Sequence, residues 1–440
     1  MNRTSHGLVV ATALAVVTGC MGSSPRSLPS PSVSSSASSA ASPSPSPAVS
    51  LPGAVRMPDV TMARFEHGVG VVGIARYSSG DQGLRPSSLW LTTDGSHWRD
   101  VTPAQAKQPD AGATYAFFEQ ASFLDARHGW VTTLDPGNVE VTVLATSDGG
   151  GHWRTIRRTN HSLNAGAATF VQLVSPTVAT MDTLEPTGPG MRLEITTNAG
   201  RSWRRVYAGP PPRMPGAPLV GPFETEFVFL SARRAFAADG IPPTDPFNGT
   251  EGGILFGTSD GGRTWAHVAA PLPAPGRSAC PVGGAGTFAC LVALPTFNGG
   301  VGTVAVEVVG GGQASIGFDR STDDGNHWSL LSHLTVPVQP AASDAAGTAN
   351  TAPLVAAPTA TSWWVVTHRQ HGLATWTTST AGRTWQQVTA PTVPGQLRSL
   401  QALDSQRAWI VEQVTTPEGA YRALYGTHDG GRHWYRVTPT

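Results

Sequence analysis

Several acidic side chains lie in segments rich in Pro and Gly, where they would suit the chemistry of a glycoside hydrolase. Such an enzyme needs two carboxyl groups that flank the sugar, one as a proton donor and one as a base or nucleophile. Glu224 and Glu226 are two residues apart, which places them on one face of a strand. Because exposed loop acids greatly outnumber catalytic ones, we predict no catalytic residue. The acids remain candidates for ligand binding: Asp182, Glu185, Glu224, Glu226, Asp239, Asp245 and Glu251.

Two histidines, His368 and His371, are separated by Arg369 and Gln370, a spacing that could serve a metal ion. Metal sites with closely spaced histidines are typically built on a helix that aligns the two rings, whereas this segment is predicted to be a polar loop. We therefore predict no metal site and no cofactor, and we place both histidines among the candidate ligand-binding residues.

The first of the three cysteines, Cys20, follows an export signal. Arg3 gives a basic start, and the apolar stretch from Gly7 to Val17 is too short to span a bilayer. The sequence Val-Thr-Gly-Cys that ends at Cys20 resembles the bacterial lipobox, whose Cys receives a diacylglyceryl group and becomes the new N-terminus. The resemblance implies a signal peptide over residues 1–19 and a lipid anchor in the bacterial cell membrane. The alternative is an ordinary secreted protein in which this Cys is incidental.

Residues 20–56 are predicted to form a disordered linker behind the lipidated Cys. Ser and Pro supply 21 of the 32 positions from Met21 to Pro52, so few bulky side chains are available for burial. Packing in such a segment cannot compensate the loss of conformational entropy. The linker would hold the folded domain, residues 57–440, away from the membrane.

The two remaining cysteines, Cys280 and Cys290, are ten positions apart. In an oxidising compartment we predict that they form a disulfide. A redox-active pair is the alternative, but it lacks the Cys-x-x-Cys spacing.

The composition favours an all-β protein with no nucleic-acid partner. The chain has 29 basic and 29 acidic residues, so no electrostatic attraction to nucleic acid is expected. Its 50 glycines and 37 prolines are typical of a turn-rich all-β chain. We predict a monomer that contacts the membrane only through its lipid.

A motif of the form Ser/Thr-x-Asp-x-Gly-x-x-Trp recurs along the folded part at intervals of about 50–60 residues. Its copy from Thr92 is one residue short, and its copy from Thr378 has Thr380 at the acidic position. The acidic position and the Trp of the seven copies are Asp94 and Trp98, Asp148 and Trp153, Asn198 and Trp203, Asp260 and Trp265, Asp323 and Trp328, Thr380 and Trp385, and Asp429 and Trp434.

The motif resembles the Asp-box, or BNR repeat, and the resemblance covers residues 57–440. It implies a β-hairpin in which the Asp accepts backbone N–H groups, the Gly takes a positive φ and the Trp opens the next strand. Each copy follows a second apolar hairpin, so each unit has four strands. Seven units of four strands predict a seven-bladed β-propeller. The predicted blades are 57–105, 106–158, 159–213, 214–270, 271–335, 336–391 and 392–440, with no strand exchanged across the closure.

The connections within a unit alternate between short and long. The first and third are predicted to be tight turns, whereas the second and the connection to the next blade are long. Alternate connections leave an antiparallel sheet at the same edge, so all long loops are expected on one face, which we call the long-loop face. A ligand site is expected there. The acidic positions and tryptophans of the repeats would instead be structural, and His97, His152, His327 and His433, in separate blades, cannot share a metal.

Two functions remain open. The pattern Phe-x-Asp-x-x-x-Gly-Trp from Phe123 to Trp130, followed by the repeat motif from Thr146 to Trp153, is similar to the photosystem II stability/assembly-factor-like propellers. The repeat motif itself is also similar to that of the sialidase superfamily. The first similarity implies a non-enzymatic cell-surface lipoprotein that binds a protein or a glycan at the long-loop face. The second implies a cell-envelope glycoside hydrolase of sialidase or xyloglucanase type that uses axial carboxylates, although the Arg-Ile-Pro motif of sialidases is absent from the sequence.

Overall fold

The protein folds into seven antiparallel β-sheets that form the blades of a propeller. The computed structural model describes residues 59–75, 87–107, 117–135, 140–160, 169–184, 191–209, 226–239, 254–269, 289–298, 300–310, 312–338, 353–369, 372–390, 395–416 and 419–439. The predicted signal peptide and linker lie outside these ranges, so their boundaries remain predictions. None of the helices in the described ranges has the length and apolar character needed to cross a membrane.

Each blade is formed by one continuous stretch of the chain. Blade 1 comprises β1 (Asp59–Glu66), β2 (Val69–Ala75), β3 (Ser88–Thr92) and β4 (Arg99–Asp100), followed by the short helix α1 (Ala104–Lys107). Blade 2 comprises β5 (Phe117–Phe123), β6 (Gly129–Asp135), β7 (Glu140–Thr146) and β8 (Arg154–Asn160). Blade 3 comprises β9 (Thr169–Leu173), β10 (Ala179–Leu184), β11 (Met191–Thr196) and β12 (Arg204–Gly209). Blade 4 comprises β13 (Glu226–Phe229), β14 (Ala235–Asp239), β15 (Ile254–Thr258) and β16 (Ala266–Val268).

The last three blades follow the same order, except that blade 5 has a fifth strand. Blade 5 comprises β17 (Ala289–Val292), β18 (Thr296–Asn298), β19 (Val301–Gly310), β20 (Gln313–Ser321) and β21 (Ser329–Pro337). Blade 6 comprises β22 (Leu354–Ala356), β23 (Trp363–Arg369), β24 (Gly372–Thr378) and β25 (Gln386–Ala390). Blade 7 comprises β26 (Gln396–Ala402), β27 (Ala408–Thr416), β28 (Gly419–Thr427) and β29 (Tyr435–Arg436). The fifth strand is accommodated because both β17 and β18 pair with β19.

The first strand of a blade lies nearest the axis and the last lies at the outside. First strands of neighbouring blades contact one another, as β1 does with β5 and β26. Middle strands are covered on both faces by the adjacent blades, and every residue of β2 and β24 is buried. Outermost strands expose most of their side chains, as in β4 and β25. The chain therefore alternates between fully buried strands and half-exposed ones.

The two tight turns of a blade share one face, as predicted. A backbone N–H of the turn between the third and fourth strands donates to a carbonyl of the turn between the first and second. The bond joins Gly149 N–H to Arg127 O at 2.8 Å in blade 2 and Gly261 N–H to Arg233 O at 2.8 Å in blade 4. The same bond recurs in blades 3, 6 and 7. The chain must therefore enter and leave each sheet at the opposite face.

Blade 7 closes against blade 1 through side chains, without an exchanged strand, as predicted. Gln401 accepts the Phe65 N–H at 2.5 Å and donates to the carbonyl of Ala63 at 2.9 Å. The rings of Phe65 and Trp409 stack with centroids 3.9 Å apart. Gln172 makes the equivalent bond to the Phe229 N–H between blades 3 and 4. The closing seam is thus built like an ordinary seam between blades.

The prediction that every second connection is long is wrong for blades 5, 6 and 7. There the second connection is a tight hairpin, closed by the pairs Gly310 with Gln313, Arg369 with Gly372, and Thr416 with Gly419. Gly312 and Gly372 have positive φ angles of 76° and 147°, which such short turns require. The long-loop face is therefore uneven, because the second connection spans residues 76–87 in blade 1 and 240–253 in blade 4 but only 136–139 in blade 2 and 185–190 in blade 3.

Candidate functional site

The seven turns between third and fourth strands, here called the repeat turns, share one hydrogen-bond pattern. In blade 2 the Thr146 hydroxyl donates to Asp148 Oδ1 at 2.9 Å and accepts the Gly150 N–H at 2.8 Å. Asp148 Oδ1 also accepts the N–H of His152 at 2.9 Å. Corresponding hydroxyl-to-glycine bonds occur in the other six turns. The polar side chains of these turns are therefore occupied in holding the backbone.

The carboxylates of the repeat turns have hydrogen-bond partners within the same turn. His97, His152 and His433 each place Nδ1 2.6–2.7 Å from a carboxylate oxygen of their own turn. The backbone N–H of Thr264, together with its hydroxyl, lowers the pKa of Asp260 to about 2. Among the described residues no group of three His, Cys, Asp or Glu side chains is arranged to hold a metal ion.

The tryptophan of each repeat turn packs into the seam with the preceding blade. Trp153 donates its indole N–H to Val101 O at 2.8 Å, across the seam between blades 1 and 2. The ring centroids of Trp203 and Trp130 are 5.9 Å apart in an edge-on contact, and those of Trp385 and Phe318 are 5.4 Å apart. The remaining four lie in the apolar clusters of their seams: Trp98, Trp265, Trp328 and Trp434.

Most of the acids that the sequence singles out lie outside the described side chains. Glu224, Asp245 and His371 are outside the described residues, as are Glu185 and Glu251. Glu226 begins β13 and Asp239 ends β14, and only their backbones are described. Asp182 lies in β10 and is only 7% exposed, so its assignment to a loop is wrong. Cys20 and Cys280 are also outside the described residues, and the disulfide with Cys290 stays a prediction.

The prediction that His368 lies in a loop is wrong as well. It belongs to β23, where the two-residue hairpin leaves no loop of useful length. Its Nε2 accepts the Leu397 N–H of β26 at 3.2 Å, across the seam between blades 6 and 7. Burial lowers its pKa, which keeps the acceptor nitrogen unprotonated. His368 therefore joins two blades.

A set of polar residues that the sequence did not single out lies on the innermost strands of three successive blades. β26, β1 and β5 each carry a β-bulge, and the extra residues are Arg398, Thr61 and Glu119. Each is the third residue of its strand. Because successive blades are related by rotation about the axis, these positions lie at one height, towards the long-loop face. We call these three residues the bulge row.

Each residue of the bulge row has a buried polar atom without a protein hydrogen-bond partner. These atoms are Thr61 Oγ1, Glu119 Oε2 and Arg398 Nε. Leaving a buried polar group unpaired costs about 1–3 kcal/mol, and such groups in native structures call for an explanation such as a binding role. β-Bulges are likewise common next to functional sites, where they redirect a side chain.

Gly73 in β2 has no side chain, which leaves space for Thr61 of the bulge row and for Phe118, the residue before Glu119. A Cβ built on Gly73 would lie 2.8 Å from Thr61 Oγ1 and 3.0 Å from Phe118 Cβ. Thr61 of blade 1 and the neighbour of Glu119 in blade 2 therefore approach the same point. The bulge of blade 1 and the strand that carries the bulge of blade 2 therefore both pack at Gly73.

The bulge row combines three kinds of hydrogen-bonding group. Burial raises the pKa of Glu119 to about 7, so this carboxyl exchanges its proton near neutral pH. Arg398 supplies a permanent cation and Thr61 a hydroxyl that donates or accepts. Such a set can bind the hydroxyl groups of a glycan or the amides and carboxylates of a peptide. Within the row, Glu119 is the residue whose pKa suits a general acid.

Three further acids are buried on second and third strands. Burial raises the pKa of Glu307 and Glu412 to about 8 and that of Asp319 to about 7. Glu307 and Asp319 lie on neighbouring strands of blade 5 and Glu412 lies in blade 7, so the three form no row across blades. Their environment favours the neutral acid.

Comparisons with known proteins agree with the fold and assign no function. No protein-family model and no curated protein matches the sequence. The structure of YCF48 bound to D1 peptide is 15% identical, with a TM-score of 0.41 over 80% of this chain and 88% of that chain. The propeller domain of the Trilobed protease from Pyrococcus furiosus is 6% identical, with a TM-score of 0.46 over 87% of this chain and 96% of its own.

An enzyme is also among the similar structures. The α-L-arabinofuranosidase Arb93A from Fusarium graminearum is 14% identical, with a TM-score of 0.38, and the match covers 71% of this chain and 93% of that chain. At these identities and TM-scores the similarities carry no argument about ligand or chemistry. The function must therefore be inferred from the residues of the site.

Proposed function

We propose that this protein is a non-enzymatic binding module whose propeller takes a protein or glycan ligand at the long-loop face. The bulge row supports this proposal, because it places Arg398, Thr61 and Glu119 at one height towards that face with buried polar atoms that no protein group satisfies. A ligand that supplies the missing partners would offset the cost of burying those atoms.

The test is a screen of the purified protein on a glycan array and a peptide array, followed by titration of the best ligand. Replacing a charged hydrogen-bonding group typically costs about 1.5–3 kcal/mol, which corresponds to roughly 10-fold to 100-fold weaker binding. We expect losses in this range for Arg398→Gln and for Glu119→Gln. Arg263→Gln makes the same charge change at an exposed position of a repeat turn and should leave the affinity unchanged. Equal affinities for all three variants would contradict the proposal.

A second candidate function is glycoside hydrolysis, favoured by one observation. The pKa of Glu119, raised to about 7 by burial, suits a general acid at neutral pH. Other carboxylates described on the innermost strands are engaged: Asp59 accepts the Arg422 N–H and Glu66 accepts the Phe123 N–H, both at 2.8 Å. Turnover of an array glycan that disappears in Glu119→Gln while binding persists would establish the enzyme.

We also propose that the repeat turns are Asp-boxes and that the protein belongs among the BNR-repeat propellers. Two features support this assignment: a hydroxyl that accepts a glycine N–H in all seven turns, and a carboxylate that accepts a backbone N–H in five of them. A profile built from the seven copies of this chain should align with established Asp-box sequences at the Asp, Gly and Trp positions. Alignment only at apolar positions would contradict it.

The location of the protein is a proposal from the sequence alone. We propose an extracytoplasmic lipoprotein, cleaved before Cys20, anchored in the bacterial cell membrane and monomeric. Mass spectrometry of the mature N-terminus should find a diacylglyceryl-modified Cys20, and Cys20→Ala should remove the lipid and release the protein from the membrane. Thiol labelling of the same material under non-reducing conditions should leave Cys280 and Cys290 unmodified if they form the proposed disulfide.

A further inference from the structure

The outer strand of blade 5 differs from the other six at two successive positions. Two residues after the tryptophan of each repeat turn, the other blades have a polar residue: Asp100, Thr155, Arg205, His267, Gln387 and Arg436. Blade 5 has Leu330 there, and this side chain is 41% exposed. The next position is aliphatic in every blade, but Leu331 of blade 5 is 42% exposed, whereas Val101, Val206 and Val437 are at most 9% exposed.

Leu331 is exposed because a different residue fills its usual place. In blades 1 and 2, Val101 and Ile156 lie against a glycine of the next repeat turn, where a Cβ on Gly150 or Gly200 would overlap them. In blade 5 the residue against the corresponding Gly382 is Ser332, whose hydroxyl donates to Gly382 O at 3.0 Å. The serine takes the seam position and the two leucines remain outside. The seam is complete without them, so packing between blades does not explain these leucines.

The same strand also lacks the protection that exposed sheet edges normally carry. Natural edge strands are kept short or carry charged side chains that prevent pairing with another strand. β4, β16 and β29 are two or three residues long, and β8 and β12 contain three and two arginines. β21 has nine residues and no Asp, Glu, Lys or Arg. In the described part of the chain no strand pairs with its outer edge.

The geometry of this edge determines what can cover it. Unpaired backbone N–H and C=O groups along a strand are satisfied by another extended backbone, and nine residues offer roughly 30 Å of edge. The exposed leucines favour apolar side chains in that segment. The Ser- and Pro-rich stretch of this chain fits poorly, because proline has no N–H to donate. A second copy paired only through this edge would bury far less than the roughly 1,200 Å² of a stable interface.

We propose that the outer edge of β21 is a docking surface for an extended, uncharged and apolar segment of a partner protein, which pairs with β21 as an added strand of blade 5. This surface is separate from the bulge row and does not depend on the function proposed for that row. Backbone pairing supplies most of the hydrogen bonds, and Leu330 and Leu331 select apolar side chains.

The proposal can be tested with a synthetic peptide of four Thr-Val repeats flanked by a single Lys at each end. Amide hydrogen exchange of the full-length protein should slow at least ten-fold at the outward N–H groups of β21 when this peptide is present in excess. A peptide with Pro at two central positions should give no protection. Leu330→Arg should abolish the effect, whereas Gln387→Arg, at the same position of blade 6, should preserve it.

Two outcomes would overturn the proposal. One is the absence of protection by the Thr-Val peptide, or protection that survives Leu330→Arg. The other is protection of β21 in the protein alone that grows with protein concentration, accompanied by a dimer in sedimentation, because the occupant would then be a second copy. Unfolding curves of both Arg variants check that neither substitution alters the fold, which their exposed positions predict.

Discussion

The repeat turns and the bulge row are both made of polar side chains, yet their hydrogen bonding is opposite. In the repeat turn of blade 4, Asp260 accepts the N–H groups of Arg263 and Thr264 and the hydroxyls of Thr258 and Thr264. In the bulge row, Glu119 keeps a buried oxygen without a protein partner. Polar residues that serve the turns are thus satisfied within the chain. The three residues of the bulge row, whose buried polar atoms lack protein partners, indicate where a ligand would bind.

The largest predicted effect is a loss of stability when a glycine of a repeat turn is replaced. Gly200 has a φ of 81°, and a Cβ there would overlap Ile156 of the preceding blade. Gly200→Ala should therefore lower the free energy of unfolding by about 3 kcal/mol, since backbone strain and overpacking add. Gly68 has a similar φ of 77° but no atom within 4 Å of its Cβ position. Denaturant unfolding should show a loss of only about 1 kcal/mol for Gly68→Ala; equal losses would contradict the role of the seam.

A smaller effect with a distinct pH dependence is expected at Glu412. Its pKa is raised by burial from 4.5 to about 8, so between these pH values the folded protein holds more protons than the unfolded chain. Stability must then fall as the pH rises through this range. Glu412→Gln should remove that slope, giving about 2 kcal/mol more stability than the natural protein at pH 8 and no difference near pH 4. Parallel pH profiles of the two proteins in thermal unfolding would refute this.

The repeat turns should show the opposite pH dependence. The pKa of Asp260 is lowered from 3.8 to about 2, so its contribution is complete above pH 4 and is lost as the pH falls through about 2. Asp260→Asn should cost about 1 kcal/mol at pH 7, a modest value because the site is exposed. The difference from the natural protein should vanish near pH 2. Ligand affinity, measured in parallel, should be unaffected.

The smallest expected effect is a gain, at the one repeat turn with a threonine in the acidic position. The Thr380 hydroxyl accepts the Thr384 N–H at 3.0 Å and lies 2.8 Å from the Thr384 hydroxyl, which copies part of the Asp260 pattern. Thr380→Asp should add a second acceptor and stabilise the protein by about 0.5 kcal/mol. Calorimetry that shows a loss of stability instead would mean that the threonine is already the better residue there.

The sequence predicted the features that depend on local residue patterns. The repeat turns, the blade count and the closure without strand exchange follow from motifs within a single blade. The bulge row was missed because a bulge depends on how two strands pair, and no residue of β1 or β5 announces it alone. The sequence holds one signal: Glu119 is the only charged residue of β5 and Arg398 the only charged residue of β26. The position of His368 differs from the prediction because polar residues around it predict a loop, whereas β23 and β24 continue to pair as far as Arg369 and Gly372.

The continuity of each blade along the chain bears on how such a ring can change during evolution. Since every sheet is formed by one uninterrupted stretch, duplication or deletion of a single repeat adds or removes a whole sheet and leaves the others intact. A circular permutation that joined the natural ends of the ring and opened it between two other blades would likewise preserve all seven sheets. The fold therefore does not depend on which blade comes first in the sequence. The bulge row, in blades 7, 1 and 2, would stay together in any permuted chain whose new ends lie between other blades.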